Sequence, residues 1–175
     1  MIITFGEYRG RSVEWLVLKR PDYVKWILDR PAVAGPLIPV KAEALRLVST
    51  FDAKPILKPC SRNCLVPASG FTAWDGNPYM LWPVCDMCDP CQKGPAPWKL
   101  NVIRTYKDTL NFVKLHCDRL RSDYRLAIET IAQAKGFPEK SSKAAIQRFF
   151  ERVEPAEEIS FEALMTRAAA VTGNS

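Results

Sequence analysis

The chain has 175 residues, 47% of them apolar and 25% charged, and its 25 lysines and arginines against 19 acids give a formal charge of +6. That is enough apolar content for real cores in one domain or two small ones, and no apolar run approaches the roughly 20 residues that a membrane-spanning helix requires. The opening Met1-Ile2-Ile3-Thr4-Phe5-Gly6 runs straight into a foldable pattern without a leader signature, so a cytoplasmic setting with reduced thiols is expected rather than a disulfide framework.

In chain order, residues 2–5 read as a short strand and are followed by Gly6-Glu7-Tyr8-Arg9-Gly10-Arg11, in which two glycines bracket a tight turn. Ser12 is positioned to cap a helix over residues 13–19, with Glu14 in its first turn. Pro21-Asp22 restarts a second helix through Leu28, and Pro31, Pro36 and Pro39 close it. Phe5, Trp15, Tyr23 and Trp26 fall at core spacing, so a mini-core is expected from them, with Trp15 and Trp26 assigned to packing. Glycines allow backbone amides to approach a phosphate, and Tyr8, Arg9 and Arg11 offer stacking and charge, so the loop is also a candidate nucleic-acid contact. Residues 40–48 then read as a short helix with Ala42, Leu45 and Val48 on one face.

The run Phe5-Gly6-Glu7-Tyr8-Arg9-Gly10-Arg11-Ser12, then Val13-Glu14-Trp15-Leu16 and Pro21-Asp22-Tyr23-Val24-Lys25-Trp26-Ile27-Leu28, resembles the FGKYKGK…DPDYLxWLL module. That module lies at the C-terminus of exodeoxyribonuclease X-like proteins and of some DNA polymerase III epsilon-like exonucleases, and it occurs in small phage and mobile-element proteins. The resemblance covers about 30 residues and implies an accessory module that works near DNA. It departs at Glu7, where the family carries a basic residue, so any phosphate contact it implies falls on Arg9 and Arg11. The acidic block of an epsilon-like nuclease core has no counterpart here, so the resemblance implies no catalysis.

Residues 55–98 carry eight of the chain's prolines, which breaks up long regular elements. Within them, Cys60/Cys64 and Cys85/Cys88 form CxxxC and CxxC pairs twenty residues apart, with Cys91 just beyond. Two tight turns presenting two sulfurs each satisfy a tetrahedral thiolate site. The connector carries Trp74-Asp75-Gly76-Asn77-Pro78 at its centre, where Asp-Gly signals a reversal. A zinc-ribbon-like hairpin is expected, with Phe71, Trp74, Tyr79 and Trp82 packing over the knuckle and Cys91 as an alternate ligand. An iron–sulfur cluster on Cys85, Cys88 and Cys91 with Cys60 or Cys64 is the rival. A catalytic zinc fits poorly, because such sites draw on histidine or carboxylate and leave a position open, and the chain has one histidine.

From Ile103, apolar residues recur at Tyr106, Leu110, Val113, Cys117, Leu120, Tyr124, Ala127 and Ile131, spaced three and four apart, which reads as one long helix of about four heptads. Cys117 falls on the seam as a small hydrophobe and His116 beside it in solvent. Gly136-Phe137-Pro138 ends the segment, Ser141 or Ser142 caps a helix to about Arg152, and Ser160 caps a last helix over residues 161–171. Residues 100–171 are expected to pack as a helical bundle, with self-association through the same stripe as the alternative.

The fold class expected is therefore α+β: a strand-turn-helix module over 1–50, a zinc-ribbon-like segment over 55–98 and a helical region over 99–175. The positive excess is uneven, ten basic residues against six acids in 1–58 and seven against four in 100–137. This places a candidate phosphate-facing surface on Arg9, Arg11, Arg119, Arg121 and Arg125. Nucleophile, base and oxyanion donors do not assemble into a catalytic set. The expected function is accessory DNA binding without catalysis, on single or double strands, and the alternative is a zinc-stabilised adaptor that docks a protein partner.

Overall fold

The chain opens by folding back on itself. In a computed structural model, which describes residues 1–61, 66–73, 80–86 and 102–151, the Ile3 amide donates to the Arg11 carbonyl at 2.9 Å and the Gly10 amide to the Ile3 carbonyl at 2.8 Å. The expected strand over residues 2–5 is thus reduced to one bridge, Ile2 to Ser12. The chain turns at Gly6 and Gly10, whose φ of +66° and +82° suit glycine, and helix begins at once after Ser12, so neither arm has room for a ladder. The Ser12 hydroxyl accepts from the Trp15 amide at 3.2 Å and starts α1, Val13–Lys19. Arg20 closes it, and Pro21 opens α2, Pro21–Leu28, at the one turn where a missing N–H costs nothing.

The third helix, α3, spans Leu37–Ala53, well beyond the expected 40–48. Pro39 lies inside its first turn, where no intrahelical acceptor is lost, so it does not act as a stop. The true stop is Pro55, which pushes Lys54 into the extended region at φ −70°, ψ 134°. The buried face is Val40, Ala44, Leu47, Val48 and Phe51, not Ala42 and Leu45; Leu45 is 51% exposed.

Three short strands follow, β1 Gly70–Ala73, β2 Leu81–Val84 and β3 Val102–Ile103, in the order β2-β1-β3 and antiparallel throughout. Gly70 pairs with Val84 and Ala73 with Leu81; the reversal at 74–79 lies outside the described residues. Gly70 is required by close approach, because a Cβ there would sit 3.1 Å from the Ile103 carbonyl oxygen. Pro83 is tolerated because β2 is an edge strand.

The predicted long helix is two helices, α4 Tyr106–His116 and α5 Arg121–Ala134. Cys117 is extended, Arg119 takes a φ of +65°, and the Asp123 carboxylate accepts from the Leu120 amide at 3.1 Å, which fixes the new helix start. Thr105 and Asp108 exchange backbone-to-side-chain bonds of 3.0 Å at the head of α4, a capping box. Ser142 accepts from the Ala145 amide at 3.1 Å before α6, Lys143–Glu151; the helix expected over 161–171 lies outside the described residues.

Helices from both ends of the chain pack together. α1 lies against α3, α5 and α6, and α2 against α5, so one contiguous cluster of buried side chains runs from Ile3 to Phe150. Buried residues of all three expected segments, 1–50, 55–98 and 99–175, enter that cluster. Tyr106 ties the segments together: it is fully buried, its hydroxyl donates to the Val17 carbonyl at 2.8 Å and its amide to the Asp52 carboxylate at 2.6 Å. The apolar stripe of α4 and α5 is spent on this core, with Leu110, Val113, Tyr124, Ala127 and Ile131 buried in it.

Candidate functional site

Cys60 sits on a strap that forms no strand or helix among the described residues. Pro59 bridges Pro67, and the Cys60 amide donates to the Val66 carbonyl at 3.0 Å. The Ser61 amide and hydroxyl both donate to the Pro83 carbonyl, at 2.9 and 2.6 Å. Proline carries no N–H, yet its carbonyl is available on the edge strand, and the strap uses it. That bond pulls Cys60 to the end of β2, where Cys85 follows Val84.

Cys60, Val84 and Cys85 form a small buried cluster apart from the main core, with Val66 and Val102 against it. One cysteine of each predicted pair thus lies in one pocket of apolar side chains. Asp86 next to Cys85 takes a hydrogen bond from Ser69 and ion-pairs with Arg104, and these two partners hold its carboxyl below the usual range. They anchor the residue after Cys85 to the chain just past β3. Cys64, Cys88 and Cys91 lie outside the described residues, and so do Trp74 and Tyr79. Among the described residues no group of three or more metal-ligating side chains forms. The donor chemistry within reach of the cluster is thiolate, which suits zinc or iron. Of the other expected knuckle aromatics, Phe71 packs into the main core at 2% exposure and Trp82 is 37% exposed.

The second candidate surface is the Gly6–Gly10 loop. Arg9 and Arg11 are exposed, the Arg11 guanidinium lies 4.9 Å from the Trp15 ring centroid, and neither has an acidic partner among the described residues. Tyr8 departs from expectation, since it is 5% exposed. Its ring is covered by the Arg20 guanidinium at 4.6 Å and meets Tyr23 edge-on at 4.7 Å, and its hydroxyl donates to Glu7 at 3.0 Å. Tyr8 is a support for the loop with no face left for a base. Burial, then the bond to Glu7, raises the pKa of its phenol.

Arg20 is a bridge. It bonds Asp22 through two nitrogens at 3.0 Å and reaches Glu7 at 3.5 Å, while Arg121 of α5 approaches the same Asp22 at 3.8 Å. The loop and the head of α5 are therefore joined through one chain of charges. Arg119, Arg121 and Arg125 are exposed, so the basic residues expected to face phosphate do lie at the surface.

Two features escaped the sequence. Trp26, expected in the core, is 41% exposed; helical spacing groups it with Tyr23 and Ile27 but does not say which of them faces inward. Lys135 is the other. It is only 7% exposed, and its ammonium donates to the carbonyls of Asp52 and Lys54 at the C-terminus of α3, where helix carbonyls lack partners. Burial lowers its pKa to about 8, against the opposing pull of Asp52. Because the unfolded lysine titrates near 10.4, the unfolded chain binds more protons between these values and stability rises with pH there. We expect urea midpoints to report a gain of roughly 1 kcal/mol from pH 7.5 to 9 that Lys135→Met abolishes. Other titrating groups, among them Cys117 with its thiol pushed up to about 11 by burial, are common to both chains and cancel in the difference. An unchanged pH slope in the variant would remove Lys135 from this role.

Compared with known proteins, the chain matches no family model, no curated protein and no solved structure.

Proposed function

We propose that this chain is a zinc-containing accessory DNA-binding protein without catalysis of its own, of the kind carried by phages or mobile elements. What supports the reading is the contrast among its arginines. Arg20 is committed to Asp22 and Glu7 and braces Tyr8, whereas Arg9 and Arg11 project from a turn so braced, exposed and without carboxylate partners among the described residues. A rigid base with uncommitted cations suits contact with a phosphate backbone. Arg121 and Arg125 extend the charge along α5. The zinc, held by Cys60, Cys64, Cys85 and Cys88 with Cys91 as alternate, would supply structure and no chemistry. The resemblance of residues 5–28 to the exodeoxyribonuclease X-like C-terminal module points the same way.

The test is a fluorescence-anisotropy titration of labelled DNA across salt. We expect log affinity to fall with log salt by about 0.9 for each duplex phosphate contact. Arg9→Ala with Arg11→Ala should weaken binding and reduce that slope by about 2, with melting unchanged. Absence of binding at low salt would overturn the reading. It would favour a zinc-stabilised protein adaptor, for which Leu115 and Leu120, 69% and 57% exposed on either side of the α4–α5 break, would be the docking surface.

A further inference from the structure

Along α2 the side chains of Tyr23, Trp26 and Arg30, three and four residues apart, stack one above another. The Tyr23 and Trp26 rings lie 5.3 Å apart at 21°, and the Arg30 guanidinium sits 4.1 Å from the Trp26 centroid. Below them Tyr8 meets Tyr23 edge-on, so the stack rests on the core and opens to solvent only at its Trp26–Arg30 end. The helix buries Pro21, Val24 and Ile27, and Trp26 is not needed for that face. A single exposed indole is ordinary; what sets Trp26 apart is a flat ring fixed from one side and capped on the other by a cation that no acid claims among the described residues.

The surroundings carry positive charge. Lys41 of α3 donates to the Arg30 carbonyl, which pins the end of α2 and brings a second cation to the stack. Asp29, the nearest acid in sequence, is neutralised by Lys25 at 2.6 Å. Arg30 lies two residues beyond the end of α2 with its backbone restricted by Pro31, so the guanidinium lies past the helix end rather than within a crowded turn. An aromatic plane beside cations is what a single strand requires: bases stack on rings or guanidinium planes, and phosphates sit near the charge. A duplex keeps its bases stacked internally and has no face to offer.

We infer that the outer face of the Arg30 guanidinium, backed by Trp26 and flanked by Lys41, is a stacking plane for an unpaired base of single-stranded DNA, so that this protein prefers single strands or exposed ends to intact duplex. The inference rests on the DNA-binding reading and adds a strand preference and a base-contacting residue to it.

The experiment titrates full-length protein against a labelled oligothymidylate and against the same strand annealed to its complement, at one low salt concentration. The native chain should bind the single strand more tightly. Trp26→Ala should weaken single-strand binding about tenfold, within the range a stacked base is worth, while duplex binding changes less than about twofold. Trp26→Phe should restore most of the loss, and Arg30→Ala should weaken the single strand alone; thermal melting reports whether each variant is folded. DNA binding that persists in Trp26→Ala with single-strand affinity intact overturns this inference and leaves the DNA-binding reading standing. Binding of neither strand form by the native chain overturns both.

Discussion

Removing the proposed zinc is expected to release the strap around Cys60 while the sheet and helices remain. The cluster of Cys60, Val84 and Cys85 is too small to hold the strap around Cys60 in place by apolar burial alone, whereas Phe71 of β1 and Leu81 of β2 are buried in the core that the helices share from Ile3 to Phe150. In small thiolate sites the metal supplies on the order of 10 kcal/mol of apparent folding free energy at neutral pH, so its loss should outweigh the local bonds from Ser61 to Pro83 and from Ser69 to the Val84 carbonyl at 2.9 Å. We expect elemental analysis to find one zinc per native chain and little in Cys60→Ser or Cys85→Ser. Hydrogen exchange should show lost protection at the strap amides of Cys60 and Ser61, with β1, β2 and α1 to α6 nearly unchanged. Cys88→Ser and Cys91→Ser separate the two candidates for the fourth ligand, since only the true ligand's variant should lose metal. Full zinc with native melting in Cys60→Ser would show that Cys91 substitutes or that the knuckle is misassigned, and iron with a visible absorbance band would replace zinc with a cluster.

The parts of the fold that were readable in the sequence are those set by local chemistry. Ser12, Pro21 and the Gly6/Gly10 turn each act within a few residues, and α1 and α2 begin and end where those signals place them. α3 begins earlier than the sequence pattern implies because Pro39 reads as a terminator, although a proline in the first turn breaks no hydrogen bond. The break at residues 117–120 was hidden for a different reason. Cys117, Leu120 and Tyr124 keep the three-and-four spacing across it, because two helices lying on one core present the same stripe as one continuous helix. The local signal was Asp123, three residues after Leu120 and able to cap a new start.

The candidate site divides along similar lines. Paired cysteines announce themselves by spacing, and the strap delivers one from each pair to the same cluster. The exposure of Arg9 and Arg11 follows from a glycine-bracketed turn. The burial of Tyr8 does not, because it depends on Arg20 and Tyr23 closing over the ring from another helix. Lys135 is likewise a tertiary event: its carbonyl partners lie 83 and 81 residues away in the chain. What joins residues distant in sequence leaves no periodic trace, and the stack on Trp26 was missed because helical spacing alone does not rank two neighbouring apolar side chains for burial.

Phe51→Ala is expected to be the most damaging single substitution in the helical part. Phe51 is 1% exposed, its ring meets Tyr106 at 5.4 Å and Phe149 at 6.1 Å, and the Lys135 ammonium lies 5.6 Å from its centroid. The ring therefore joins α3, α4, α6 and the end of α5. Truncating a buried phenylalanine typically costs about 3–5 kcal/mol, the lost transfer energy plus an incompletely collapsed cavity, against a total stability of roughly 5–15 kcal/mol for a domain. The cavity would border Lys135, whose charge is tolerated only because it caps α3, so relaxation by water entry would weaken that cap as well. Leu45→Ala on the same helix is the control: Leu45 is 51% exposed, and its truncation should stay within about 0.5 kcal/mol. Urea unfolding of the two variants separates the buried face through Phe51 from the alternative through Leu45. Comparable losses in both would mean that α3 sits rotated from the orientation described, and with it the support beneath Tyr106, α1 and the basic loop that α1 carries.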